Sequence, residues 1–270
     1  MESWESPALV LHTRPHGEGA AVVSLMTEEH GRHLGYVHGV SRQQAVLQPG
    51  TFVQAQWQAR VSDQLGTYKL EMMQPLSPII FNDAYRISAL LSACALCEQS
   101  LPERENHPNI FNGLAQLLYF LSDVIPAKAG ISENEARDPR FREDDKQMWG
   151  ISYVFWELSF LKELGFALDW KRCAVTNQTN ELEYMSPKSG RAVSKIAAEP
   201  YKDKLLPLPL FLQNPKGDGA GDMEDVLTGL RLTRHFLDKW VFAQTRQETP
   251  TPRLAFEEKI EKLVAQNKAA

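Results

Sequence analysis

GTFVQAQWQARV, residues 50–61, is the stretch from which the fold is read. In it Ala55, Trp57, Ala59 and Val61 alternate with Gln56, Gln58 and Arg60. That is the period of two expected of a strand with one face buried. Similar short runs lie on either side: PALVLHTR (7–14), AAVVSLMTE (20–28) and HLGYVHGV (33–40) before it, GTYKLEMM (66–73) after it. They are rich in Val, Leu, Tyr, Phe, Thr and Trp and are separated by HGEG, EHG, QPG and SDQLG, sequences that favour turns. Five such strands within about 70 residues suit a small closed barrel of the OB-fold kind, in which closure removes the exposed edges.

Outward from the strands the pattern changes at PLSPIIFND (75–83), where two prolines end the strand and Asn82 or Asp83 can cap a helix. Ile87, Leu90, Leu91 and Cys94 then recur at helical spacing, as do Leu114, Leu117, Leu118 and Leu121. A third helix carries Phe155, Leu158, Leu161 and Leu164, with Gly165 as its stop. A long helix is expected from about Met223 to Thr245. The class is therefore α+β, with a barrel domain over residues 1–80 and a helical domain over 81–270. Residues 124–147 mix charges with Pro and Gly and have no apolar period, which predicts an exposed loop. Within it VIPAKAG and DPRFREDD resemble peptides encoded by short palindromic repeats of some proteobacterial genomes. The loop is thus expected to be an insertion whose deletion the fold tolerates.

CAVTNQTNELEYMSPKSGRAV (173–193) has the rhythm of a zinc knuckle: Cys, turn, strand, Gly turn, strand. Zinc needs four soft or borderline ligands, yet Thr176 stands where a Cys-x-x-Cys pair would close. The segment 170–200 is expected to be a β-hairpin without a metal, packed through Val175, Leu182, Tyr184 and Val193.

Three cysteines are too few for a disulfide scaffold, and no apolar run has the ~18–20 residues of a membrane span. No signal peptide is visible, so a reducing cytoplasm is the expected location. A net charge of −5 argues against a surface that is basic throughout; any nucleic-acid contact must come from a local patch. There is no G-x-S-x-G, H-E-x-x-H or phosphate-loop pattern, and GDGAGD (217–222) reads as a linker. No catalytic residue, metal or cofactor is assigned.

The order of a β barrel containing HGEGAAVVSLMTEEHGRHLGYVHGV, helices, then ELSFLKELGFALDWKRC, SPKSGRAV and LLPLPLFL resembles the RecO family of bacterial recombination mediators. The resemblance covers almost the whole chain apart from the loop. It implies an OB-fold, a helical domain bearing a zinc-ribbon-like element, and no catalytic site. It further implies binding of single- and double-stranded DNA, strand annealing, partnership with RecR and with the C-terminal tail of single-stranded-DNA-binding protein (SSB), and help in loading RecA. A nucleoid-associated bacterial protein, monomeric when free, is expected. Because only Cys173 remains of the four cysteines found in some relatives, their zinc site does not carry over.

A groove for single strands needs cations for phosphates and rings for bases. In the barrel the candidates are Arg14, Arg32, Tyr36, Arg42, Arg60 and Lys69, with Arg32 expected at a turn tip just before the strand that carries Tyr36. Residues 1–80 hold five Lys and Arg against seven Asp and Glu, so composition alone reads these as solvated arginines. On the hairpin the candidates are Lys188, Arg191 and Lys195. For an acidic, Phe-ended tail they are Leu227, Leu230, Arg231, Arg234 and Trp240, although core packing explains the apolar members equally well. Two further functions stay open: a RecR- and SSB-binding adaptor with little DNA affinity, and a metal-dependent hydrolase using the barrel histidines, among them His30 and His33.

Overall fold

The alternation in residues 50–61 is realised as one strand of a closed barrel. The computed structural model describes residues 2–61, 64–74, 78–122, 141–213 and 221–269. They fall into two compact units, residues 1–125 with 250–256 and residues 126–249 with 257–270.

In the first unit β1 (Glu2–His16), β2 (Ala20–Thr27), β3 (Gly31–His38), β4 (Phe52–Ala59) and β5 (Thr67–Gln74) close in the order β1-β2-β3-β5-β4. All neighbours are antiparallel except β3 and β5. A register shift between Val10 and His12 bends β1, whose first half pairs with β4 and whose second half pairs with β2. Val10, Val23, Leu25, Val37, Val53, Ala55, Trp57 and Leu70 fill the interior. The strand stops at Ala59, and Val61, expected to continue the inward row, is exposed.

A short helix α1 (Pro78–Asn82) leads into α2 (Ala84–Ser100), which Asp83 caps by accepting the amides of Tyr85 and Arg86. α2 turns Leu90, Ala93, Cys94 and Cys97 inward and leaves Leu91 exposed, so its buried face is rotated from the expected stripe. α3 (Pro108–Leu121) buries Leu114, Leu117, Leu118 and Leu121 as expected. Two arginines close the ends of these helices. Arg86 Nη1 donates to the Leu121 carbonyl at 2.8 Å, and Arg32 Nε donates to the carbonyl of Leu101, the residue that caps α2, at 2.8 Å. A cation placed there satisfies a carbonyl that the helix leaves open and opposes the helix dipole. Gly31 (φ +65°) lets this connection approach: a Cβ there would lie 1.7 Å from the Glu105 carbonyl oxygen.

The second unit begins with α4 (Phe141–Glu163), so residues 141–147, read above as loop, are helical. The rest of that expected insertion, up to residue 140, lies outside the described residues. A three-stranded ribbon follows, with β6 (Leu182–Met185) between β7 (Ala192–Ser194) and β8 (Leu206–Pro207). Between β7 and β8 run α5 (Lys195–Ala198) and a 3-10 turn, Glu199–Lys204. After α6 (Leu210–Gln213), α7 (Met223–Phe236) packs on α4 and continues through a π turn, Leu237–Phe242, into α8 (Ala243–Thr245). The Thr233 hydroxyl on α7 donates to buried Glu157 on α4. A helix α9 (Thr251–Ala269), absent from the elements read above, ends the chain.

Candidate nucleic-acid interface

The barrel register brings three of the six barrel candidates to one end. Arg14 pairs with Val22, and Val22 pairs with Tyr36, so Arg14 and Tyr36 share one row across β1, β2 and β3. Their neighbours Ala21, Val23 and Val37 point into the core, which turns this row outward. His16 lies with its ring 5.2 Å from that of Tyr36. Arg42 closes the 3-10 turn Val40–Arg42 that follows β3, and Gly39 anchors that turn to the β1–β2 turn by donating to the Gly19 carbonyl at 2.8 Å. Arg14 and Arg42 are exposed and form no ion pair among the described residues, although Glu18 stands in the β1–β2 turn. Two free guanidiniums beside an outward ring make a small surface suited to phosphate and base.

The remaining three candidates lie elsewhere. Lys69 is exposed, pairs with Glu71 at 3.5 Å and lies on the β1–β4–β5 side in one row with Glu5 and Gln56. Arg60 lies just beyond the end of β4. On that side is a cavity of about 580 Å³, bordered by Trp4, Trp57, Tyr68, Gln56, Gln58 and Lys69 among others. Arg32 is not at a turn tip: it lies in β3 with its side chain 12 % exposed, 3.6 Å from both Glu98 and Glu103. Its charge is engaged at the C-terminal end of α2, so the expected loop-tip cation is corrected to a structural tie.

His30 and His33 do not form a ligand pair. His30 stacks on Trp4 at 4.2 Å. Nδ1 of buried His33 sits 2.9 Å from the Tyr68 hydroxyl and 3.0 Å from the Leu34 carbonyl. Burial, then the nearby Arg104 charge, lowers the His33 pKa to about 4, so it stays neutral at physiological pH.

On the ribbon Lys188 is exposed and forms no ion pair among the described residues, whereas Arg191 faces Asp169 at 3.8 Å and Lys195 holds Glu183 at 3.0 Å. The Glu183 hydrogen bond and charge raise the Lys195 pKa. The ribbon tip is fixed against α7 and the π turn: His235 Nε2 lies 3.4 Å from the Pro187 carbonyl, and a Cβ on Gly190 (φ +63°) would meet Trp240 at 2.5 Å. Lys171, Arg172, Lys202 and Lys204 add exposed cations. The signal for the first two was their place in WKRC, directly before the knuckle.

The donor set of the knuckle does not fit zinc. Cys173 supplies its only thiol, and no group of three His, Cys, Asp or Glu gathers among the described residues. Buried Cys173 Sγ instead accepts the amides of Ser194 at 3.3 Å and Thr176 at 3.5 Å, which ties the first turn to β7. Burial raises the thiol pKa, but hydrogen-bond donation by Ser194 and Thr176 outweighs it and lowers the value to about 6. Leu182 and Val193 are buried as expected, but Val175 is 72 % exposed; Met185, Ala192 and Ala198 are also buried.

The helical pocket expected for an acidic tail is not formed by its named residues. Leu227 and Leu230 are buried in the core of the second unit. Arg231 is paired with Glu261 and Arg234 with Glu257. Trp240 packs on Phe236 and Phe166.

Comparison with known proteins agrees with this architecture. The family model described as recombination protein O N terminal matches residues 1–76, and recombination protein O C terminal matches 82–129 and 140–247. The DNA repair protein RecO of Rhodospirillum centenum is 42% identical over 263 residues, covering 96% of this chain and 95% of that protein. The DNA repair proteins RecO of Rhodospirillum rubrum and of a Caulobacter species are 37% and 39% identical over 262 and 254 residues, covering 96% and 93% of this chain and 97% and 94% of theirs. No helix among the described residues is long and apolar enough to cross a membrane.

Proposed function

The chain belongs to the RecO family, which gives it a role in DNA repair and recombination, and we propose that it acts there as a DNA-binding mediator that holds single strands at the Arg14–Tyr36–Arg42 end of the barrel. The observation that carries the reading is the shared outward row of Arg14 and Tyr36 beside unpaired Arg42. Guanidiniums displace counterions from phosphates, and the tyrosine offers a face to a base. The ribbon cations, Lys188 foremost, supply a second contact. Annealing then needs only that two strands be neutralised and held side by side, since base pairing provides the sequence match. Loading of RecA onto SSB-coated strands follows when contacts to RecR and to the SSB tail remodel the coat. Those contacts use surfaces other than Leu227 and Leu230, which are buried. Double-stranded DNA is held by its phosphates alone, and the place of action is the nucleoid in the cytoplasm.

The engagement of Arg32 by Glu98 and Glu103 favours one competitor, the adaptor that binds RecR and SSB but little DNA. The two readings separate in an annealing assay with complementary fluorescent oligonucleotides. The mediator accelerates annealing, and an Arg14→Glu, Arg42→Glu variant loses most of that acceleration while keeping its thermal midpoint. No acceleration by the unaltered protein would leave the adaptor.

A further inference from the structure

The three most exposed large apolar side chains among the described residues all lie in the segments that flank the ribbon strands, Ile196 at 74 % in α5, Val175 at 72 % before β6 and Tyr201 at 60 % in the 3-10 turn. Scattered exposed apolar groups are ordinary, but three on one small element that otherwise buries Leu182, Met185 and Ala192 are not used for its packing. The same element is locally basic. Residues 169–207 hold seven Lys and Arg against five Asp and Glu, in a chain whose net charge is −5.

Tyr201 stands in the 3-10 turn Glu199–Lys204, which carries Pro200 as its second residue. Pro fixes the backbone at that position, so the ring is presented by a turn that is already ordered and its immobilisation on binding costs little. No ring contact or hydrogen bond of Tyr201 is found among the described residues. Beside it in sequence, Lys202 Nζ lies 5.9 Å from the centroid of Tyr184, a half-buried strand residue, and Lys204 has no carboxylate partner among the described residues. The turn thus offers an open aromatic face, with Lys202 and Lys204 next to it in sequence and Glu199 and Asp203 in the same turn. Every base has a π face that such a ring can cover, and each phosphate next to it can be met by a lysine. A duplex offers the phosphates but keeps its base faces stacked on one another.

We infer that Tyr201 is a base-stacking contact specific to single-stranded nucleic acid, with Lys202 and Lys204 on the adjoining phosphates. This rests on the DNA-binding reading above and adds to it a second, strand-selective site on the ribbon. Exposed cations alone give no preference between one strand and two; the ring provides it.

The test uses the full chain with a fluorescent oligothymidylate and with a duplex of equal length, each at one moderate salt concentration. Tyr201→Ala is expected to weaken binding of the single strand about tenfold, the typical loss of one stacking partner, and to leave duplex binding unchanged. Tyr201→Trp should retain single-strand affinity. Since the ring is mostly exposed, both variants should melt with the unaltered protein, which separates contact from folding. An Ala variant that binds the single strand normally, or that loses strand and duplex equally, overturns the inference. So does an Ala variant that loses only the binding of an acidic, Phe-ended peptide, because the turn would then serve a protein partner. Failure of the unaltered chain to bind either oligonucleotide would sink the DNA-binding reading itself, whereas normal binding with an indifferent Tyr201→Ala sinks only the stacking site.

Discussion

Replacing Arg32 with Ala separates a structural cation from a binding one. The side chain is 12 % exposed; it donates to the Leu101 carbonyl at 2.8 Å and lies 3.6 Å from each of Glu98 and Glu103. A hydrogen bond from a charged donor contributes about 1.5–3 kcal/mol. The two ion pairs add less, about 0.2–1 kcal/mol each, because Glu98 and Glu103 are partly solvated. Glu98 also accepts the hydroxyl of buried Ser24, so its charge keeps one partner after the substitution. Taking the lower end of each range, since Glu98 keeps its Ser24 partner, the expected loss is about 2 kcal/mol, below the cost of stripping a fully buried pair. For a unit of this size that lowers the melting temperature by roughly 5–10 °C. Circular dichroism or calorimetry reads the first unfolding transition, and an oligonucleotide titration well below it reads binding. Arg32→Lys should fall between, since it keeps the charge but loses the Nε–H that reaches Leu101. An Arg32→Ala protein with unchanged melting and weakened oligonucleotide binding would refute the reasoning and return Arg32 to the interface.

Other consequences follow from the second unit. The folded Cys173 thiol titrates near 6, below its ordinary value near 9, so its stabilisation is complete above the unfolded value and is lost as pH falls through about 6. Urea midpoints should therefore rise between pH 6 and pH 9, by at most ~4 kcal/mol in stability, and Cys173→Ala should flatten that rise. Leu230→Ala, at a site with no exposure, should cost about 2–4 kcal/mol in urea melts without a selective loss of binding to an acidic peptide. Gly190→Ala places a methyl 2.5 Å from Trp240 at φ +63° and should destabilise the ribbon by about 2 kcal/mol or more, seen as faster amide exchange over β6 and β7.

Much of the barrel could be read from the chain because its rules are local. Alternation placed Ala55 and Trp57 inward, and Gly-bearing turns separated the strands. Asp83 acts as the helix cap for equally local reasons. What was misread depends on partners far along the chain. Arg32 looked like a loop-tip cation because Leu101, its acceptor, lies 69 residues away. Spacing gave α2 an apolar stripe but not its rotation, which contact with β1 decides: Leu91 faces out while Cys94 approaches the Val10 carbonyl. Val175 has the residue type of a packing group, yet the hydrogen bonds of the Cys173 turn leave it outside. In the candidate interface, Arg14, Tyr36 and Arg42 were each legible as residue types, but only the β1–β2–β3 register sets Arg14 and Tyr36 in one row, with Arg42 on the 3-10 turn after β3.

The dependence of oligothymidylate affinity on salt, measured for the unaltered chain and for Arg14→Glu, Arg42→Glu, tests the central claim most directly. Each phosphate contact contributes a slope of about −0.7 in log affinity against log salt for single strands. The unaltered chain should show a slope of about −2 or steeper, and the variant a slope shallower by about 1.4. A flat slope for the unaltered chain, or an identical slope in the variant, would contradict the account.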